Sequence, residues 1–339
     1  MTGPERTIHI LNTGGTISYA ADGSGLTYTP ERILEEIGAR RRVVYRDVLR
    51  KGSVNMTPAD WGTIAAAAHE ARLGGADGVL VFHGTDTLAF TAAALSFMLG
   101  ALSVPVVLTG SMRPGGATDS DAPRNVRNAL SVAASADLAE VCVVFSRDEA
   151  GSGGVILRGN RARKVSSTAL NAFASPNYPA LGHVEGGFIR YGDAARVRRG
   201  HNGNAGISPD LNPNVCLLQY HPGCTAAFLA GALARVDGAV IAGTGLGHLP
   251  TEGGILDAIR RCGKPVILVS ACWQGGARLG MYDIDREIRA VENIIPGHDL
   301  TPEAALVKLM WVLGRDRAIG RVKARIGEPV AGELTPERA

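Results

Sequence analysis

Two short segments place hydroxyl and carboxylate groups where chemistry is done. Thr13-Gly14-Gly15-Thr16-Ile17 follows the strand-like run Thr7 to Asn12. Its glycines let the backbone turn sharply and bring Thr16 to the strand's carboxyl end without a Cβ clash. His83-Gly84-Thr85-Asp86-Thr87 follows the apolar run Val79 to Phe82 and precedes an apolar segment, Leu88 to Leu99. In an open parallel sheet, ligands sit beyond the carboxyl ends of the strands, so Thr85 and Asp86 are placed for chemistry. Asp86 has a second reading, as a cap for the helix that follows. The loop Ser18 to Thr29, with Asp22-Gly23-Ser24-Gly25 at its centre, carries Tyr19 and Tyr28. It reads either as a lid over the site or as an ordinary surface loop. Lys164 ends a basic arm, Arg158 to Lys164, and by residue type alone reads as a surface lysine. His83, ending a buried strand, reads as a histidine hydrogen-bonded in place.

The elements that must position these groups alternate along the chain. Helices are predicted over Pro30 to Ala39, from Thr57-Pro58 to Leu73, over Leu88 to Leu99 and over Asp121 to Ala134, and strands over Val43 to Leu49, Val104 to Thr109 and Val141 to Ser146. Val155-Ile156-Leu157 reads as part of a hairpin. This order argues for right-handed βαβ units in a mainly parallel sheet. Between Gly186 and Pro213 the composition shifts to Gly, Asn, Arg and Pro. A second α/β series follows, from Val215 through the helix that Thr301-Pro302 opens, and residues after Gly320 are polar and expected to fray. The predicted organisation is a larger N-terminal α/β domain over 1–190 with a mainly parallel sheet and flanking helices, a linker over 191–213, and a smaller C-terminal α/β domain over 214–339.

Composition narrows the class. With 35 basic against 32 acidic residues, nothing calls for a nucleic-acid partner or an acidic membrane surface. The five cysteines form an odd set without a Cys-x-x-Cys spacing, which argues against a disulfide framework or zinc cage and for a reducing, cytoplasmic compartment. The N-terminus lacks the pattern of a signal peptide, and no apolar stretch has the length of a membrane span. Gly243-Thr244-Gly245-Leu246-Gly247-His248 lacks a third glycine at dinucleotide-binding spacing and is read as a strand-end loop. No Gly-x-Ser-x-Gly elbow and no His-Glu-x-x-His occurs, so neither a serine hydrolase of that type nor metal hydrolysis finds support.

Taken together, Thr13 to Ile17 and His83 to Thr87 followed by Thr91-Ala92 resemble the two signatures of bacterial-type L-asparaginases and related glutaminases. Leu108 to Pro114 and Arg158-Gly159-Asn160-Arg161 leading to Lys164 extend the resemblance, which runs from about Ile8 to Leu313. Ser53 to Pro58 and Thr301 to Leu309 resemble the cytoplasmic type I branch, and equally the asparaginase-like D subunit of archaeal glutamyl-tRNA amidotransferase. That subunit carries an extra N-terminal barrel domain, whereas here about a dozen residues precede the first motif.

The resemblance implies a threonine nucleophile, Thr16, assisted by a lid tyrosine, assigned to Tyr28, and a second group of Thr85, Asp86 and Lys164; it thus reverses the surface reading of Lys164. It implies that Gly15, Ser53, Val54, Gly84 and Ser111 line the substrate, with Ser53 holding its α-carboxylate. Val54 stands where relatives carry a polar residue, which leaves the preferred amide open. The implied reaction is hydrolysis of L-asparagine to L-aspartate and ammonia through an acyl-threonine, with no metal or organic cofactor. Glutamine or another amide, or ammonia supply to a partner subunit, are the alternatives. The resemblance further implies a homodimer or homotetramer in which a neighbouring subunit closes the site, and Ser270-Ala271-Cys272 resembles part of a second, activating asparagine site of type I relatives.

Overall fold

The computed structural model describes residues 6–22, 24–25, 30–36, 42–135, 138–194 and 206–335. The chain divides into two compact units, residues 1–208 and 209–339.

In the first unit the elements run β1 (Thr7–Asn12), α1 (Pro30–Glu36), β2 (Arg42–Asp47), α2 (Pro58–Leu73), β3 (Gly78–Phe82), α3 (Leu88–Met98), β4 (Val106–Thr109), α4 (Ala122–Ala133), β5 (Val141–Ser146), β6 (Gly154–Arg158), β7 (Arg163–Lys164), β8 (Phe173–Ala174), β9 (Gly182–Glu185) and β10 (Phe188–Tyr191). Eight strands form one sheet in the order β10-β9-β6-β5-β4-β3-β1-β2. From β2 to β5 neighbours are parallel, and β5, β6, β9 and β10 pair antiparallel. β3 is buried at every position, the burial expected of a strand covered on both faces. Thr57 caps α2 in a capping box with Asp60, and Pro58 takes the first helical position, where its missing N–H costs nothing.

β1 pairs with both β2 and β3. The chain therefore leaves β1 in one direction and returns on its other side, which makes the β1/β3 boundary the topological switch point where open sheets place ligands.

One expectation fails here. The steps β2 to β3, β3 to β4 and β4 to β5 all travel the same way along the sheet. α2 packs with α3, whereas α4 packs with α1 and joins Ile33, Ile8, Ile10, Leu80 and Phe82 in one core layer. The β4–α4–β5 unit thus has the opposite hand to the two before it. α4 packs onto that face through the buried Val126, Ala129, Leu130 and Ala133.

The second unit is a four-stranded parallel sheet. Its elements are β11 (Val215–Gln219), α5 (Ala226–Ala234), β12 (Gly238–Gly243), α6 (Ile255–Cys262), β13 (Val266–Ser270), α7 (Ile284–Arg289), β14 (Ile294–Pro296), α8 (Pro302–Leu313) and α9 (Ile319–Gly327), with the strands in chain order. Among the described residues, which run to Thr335, the fraying expected after Gly320 does not occur. α9 buries Val322 and Ile326, and the tail beyond it returns to the core through Glu333, which meets Lys308 at 2.6 Å with both side chains wholly buried. Among the described residues, no helix is long and apolar enough to cross a membrane.

Candidate active site

The loop after β1 and the loop after β3 meet at the switch point. Gly14 and Gly15 adopt φ of +95° and +86°, a region that L side chains avoid. Space demands glycine as well: a Cβ on Gly15 would lie 2.2 Å from Gly84 Cα. A Cβ on Gly84 would in turn lie 2.6 Å from Ser53 Oγ. Gly84 therefore packs closely against both Gly15 and Ser53, and Thr16 and Thr85 are the residues that follow Gly15 and Gly84. Asn12, Thr13 and Thr87 fix the approach. Thr13 Oγ1 donates to Phe82 O at 2.7 Å, Gly14 N to Asn12 Oδ1 at 3.1 Å, and Thr87 Oγ1 to Ser53 O at 2.7 Å.

Lys164 reaches the same place from a distant part of the chain. Its Nζ donates to Thr85 Oγ1 at 2.9 Å and to Asp86 Oδ1 at 2.7 Å. Asp86 is thus an ion-pair partner, and the helix cap residue Thr87 makes no side-chain cap bond. The basic arm before Lys164 is largely interior: Arg158 and Arg161 are 2% and 1% exposed. Arg158 Nε donates to Glu140 at 2.6 Å, and the guanidiniums of Arg158 and Arg161 lie 4.9 and 4.4 Å from the Tyr178 ring centroid, a cation–π arrangement. Gly159 lies against α3, where a Cβ would come within 2.9 Å of Ser96 Oγ. These contacts hold the turn Gly159–Arg161, and the β7–β8 pair then carries Lys164 to Thr85.

His83 is held in place, as its sequence context indicates. Nδ1 donates to Gly84 O at 2.7 Å, which leaves Nε2 to accept from Thr91 Oγ1 at 2.9 Å. Burial pushes its pKa down to about 4, so the ring is neutral and acts as a fixed strut under the Gly84 turn. Ser53 O accepts from Thr87 Oγ1 and from Met56 N at 3.0 Å, and two residues earlier Lys51 Nζ lies 2.9 Å from both Asp60 oxygens. Burial alone would raise the Asp60 pKa, but hydrogen bonds from Lys51 and Thr57 and the Lys51 charge outweigh it and hold the carboxyl below its usual range.

The remaining sequence-predicted residues are placed as follows. Ser111 is buried and its hydroxyl donates to Arg113 O at 2.6 Å, so it is engaged within its own turn. Val54 is 74% exposed next to Ser53. Tyr28 lies outside the described residues. Sequence reasoning missed Asp121 and Asn125, which organise the loop after β4; the signal was an Asp and an Asn four residues apart at a helix start, on one helical face.

A parallel-sheet switch point furnished with a lysine, a threonine hydroxyl and a carboxylate, beside a glycine-tight threonine turn, is the ligand site of an open-sheet α/β protein. The chain belongs to the glutaminase/asparaginase family: residues 7–196 match the family described as Asparaginase, N-terminal, and residues 214–325 match the Glutaminase/Asparaginase C-terminal domain. It is 38% identical to an L-asparaginase of Thermococcus kodakarensis, over 96% of this chain and 98% of that one. It is 33% identical to the D subunit of glutamyl-tRNA(Gln) amidotransferase from Thermoplasma acidophilum, over 92% of this chain and 76% of that one. Among solved structures it is similar to the thermostable L-asparaginase from Thermococcus kodakarensis, with a TM-score of 0.86 at 35% identity, covering 98% and 100% of the two chains. It is also similar to L-asparaginase I from Vibrio cholerae, with a TM-score of 0.85 at 30% identity, covering 98% and 99%.

Proposed function

We propose that this chain hydrolyses L-asparagine to L-aspartate and ammonia, with Thr16 as nucleophile and Thr85, Asp86 and Lys164 as the second catalytic group. The observation that carries the reading is the Lys164 ammonium bridging the Thr85 hydroxyl and the Asp86 carboxylate where the Gly15 and Gly84 turns touch. A threonine hydroxyl is a weak nucleophile and must lose its proton as it attacks. Thr16 Oγ bonds to the side-chain amide carbon, the carbon–nitrogen bond breaks, and the nitrogen takes a proton and leaves as ammonia. Water then attacks the acyl ester and the threonine hydroxyl is restored.

Because Lys164 donates to Thr85 Oγ1, the Thr85 hydroxyl hydrogen is free to point toward a water or the substrate, and the lysine ammonium can replace the proton that Thr85 passes on to the departing nitrogen. Among the described residues the Thr85 backbone N–H has no protein acceptor. It is available to the oxyanion of the tetrahedral intermediate, a contribution of about 3 kcal/mol per donor. Ser53 is assigned the substrate's α-carboxylate, and Gly15 and Gly84 the close backbone approach. Tyr28 is assigned to the lid, and Val54 to the rim that sets amide preference.

The protein is proposed to act in the cytoplasm as a homodimer or homotetramer; its cysteines, all free of disulfides, support a reducing compartment. The experiment that tests the reading is ammonia release from L-asparagine, L-glutamine, their D-forms and a peptide amide, comparing wild type with Thr16→Ala. Fastest turnover of L-asparagine and an inactive variant are expected. Absence of free amino-acid amide hydrolysis by the wild type would reject the substrate, and an active Thr16→Ala would reject the nucleophile.

A further inference from the structure

The turn that carries Thr16 is held on one side by the loop that follows β4. Gly115 N donates to Thr16 O and Gly116 N to Tyr19 O, each at 3.1 Å. Two successive residues of the loop therefore grip the two ends of the Thr16–Tyr19 turn. Between Thr109 and Ala122 the loop has no helix or strand of its own; two backbone turns, Ala117 N to Pro114 O and Ser120 N to Ala117 O, shape its second half, and side chains shape the first.

That shape is organised by one buried carboxylate. Asp121 is 1% exposed. Its oxygens accept Met112 N at 3.1 Å each, and Oδ1 also accepts Arg113 N at 3.0 Å. Asn125 Nδ2 donates to Asp121 Oδ2 at 2.9 Å and to Gly110 O at 3.0 Å, and Asn125 Oδ1 accepts from Ser146 Oγ at 3.2 Å. Ser111 closes the turn by donating to Arg113 O.

An Asp directly before a helix ordinarily turns its oxygens onto the first helical N–H groups. Asp121 stands at that position of α4 and makes no cap bond. Its acceptor capacity goes to the loop, and a buried carboxylate is stable only with such donors around it. The connection thus runs from the start of α4, through Met112 and Arg113, along the loop to Gly115, and into the Thr16 carbonyl.

We propose that Asp121 is a positioning residue for the nucleophile: its buried carboxylate sets the conformation of residues 110–117, and these set the Thr16 backbone and the reach of its hydroxyl. The inference rests on Thr16 acting as the nucleophile. It assigns to Asp121 an effect on turnover that does not pass through substrate affinity, because the carbonyl of Ser53, which is assigned the substrate's carboxylate, is held by Thr87 Oγ1 at 2.7 Å and by Met56 N at 3.0 Å, both outside the 110–117 loop.

The test uses Asp121→Asn in the full-length protein. The amide keeps the shape and one acceptor, but either orientation sets its NH2 against donors, the N–H groups of Met112 and Arg113 at the Oδ1 position or Met112 N–H and Asn125 Nδ2 at the Oδ2 position. A misplacement of the nucleophile by about 1 Å is expected to lower kcat for L-asparagine roughly 10- to 100-fold. KM and inhibition by the product L-aspartate are expected to stay within about twofold of wild type. Amide hydrogen exchange over residues 110–118 is expected to quicken by about tenfold or more while α3 is unchanged. A folded variant with wild-type kcat, with unchanged exchange over that segment, or with its loss confined to KM overturns the inference. If Asp121→Asn does not fold, Asn125→Ala, which removes the tie to Gly110 and leaves the carboxylate on Met112 and Arg113, carries the same test with a smaller fall in kcat. Thr16→Ala, assayed alongside, separates the two readings. If it is active, the nucleophile assignment falls and this inference with it. If it is inactive while Asp121→Asn retains full turnover, the brace alone is rejected.

Discussion

Lys164 Nζ lies 2.9 Å from Thr85 Oγ1, across a sequence separation of 79 residues. The contact gives the lysine either of two duties, a fixed positive charge or a proton carrier. Arginine keeps the charge but cannot give up its proton. Lys164→Arg and Lys164→Met are therefore both expected to lose activity by about 10²- to 10⁴-fold, the range of a general acid–base contribution. Ammonia release by purified Lys164→Arg decides the matter, since activity near wild type would leave only the charge.

Gly15→Ala is expected to fold poorly and to be inactive. The new Cβ would sit 2.2 Å from Gly84 Cα on a backbone at φ +86°, so both overlap and conformation oppose it. Gly62 is the internal contrast. It lies inside α2 with nothing within 4 Å of the position a methyl group would take, and Gly62→Ala is expected to add about 0.5–1 kcal/mol of stability. Urea unfolding of both variants checks the pair, and equal effects would contradict the packing described at the switch point.

His83 makes stability fall with acid. Its pKa is about 4 in the fold against 6.5 for an unperturbed histidine, with burial as the main cause. The unfolded chain therefore takes up this proton first as pH falls. The stability is fully present above pH 6.5 and is lost progressively down to about pH 4, an amount of about 3 kcal/mol for this one group. Denaturant unfolding across that window, compared with His83→Gln, is expected to show a shallower acid slope in the variant. Identical slopes would mean that His83 is not held neutral.

The parts of the site that local chemistry dictates were legible in the sequence. A double glycine between a strand and a threonine, and a hydroxyl and carboxylate directly after a buried strand, are short-range patterns, and the structure brings both to the switch point. Lys164 was not legible from residue type, because its partners come from another βα unit. Nor was the burial of Arg158 and Arg161, since guanidiniums enter an interior only when tertiary partners such as Glu140 and Tyr178 receive them. The hand of the β4–α4–β5 step depends on which face of the sheet α4 joins, where its partners Ile8, Ile33 and Leu80 come from distant parts of the chain, and no window of sequence reports that. The tail misled for a related reason. Its polar composition hid Val322 and Ile326, four residues apart and both buried in α9.

That tail supplies the last expectation. Lys308 is buried, with Nζ donating to Ile326 O at 2.7 Å, to Glu328 O at 2.6 Å and to Glu333 at 2.6 Å. Glu333 also accepts Val330 N and Ala331 N, so the lysine is the point at which α8, the end of α9 and the final described residues are joined. Removing one partner strands a buried charge, and Glu333→Leu is expected to cost about 3–5 kcal/mol. Replacing both, as in Lys308→Met with Glu333→Leu, removes the stranded charge and is expected to recover part of that loss. The two carbonyls that lose the ammonium keep the recovery incomplete. A double-mutant cycle by chemical denaturation tests this directly. If the double variant is no more stable than Glu333→Leu, the tail is held by its apolar contacts and the ion pair contributes little.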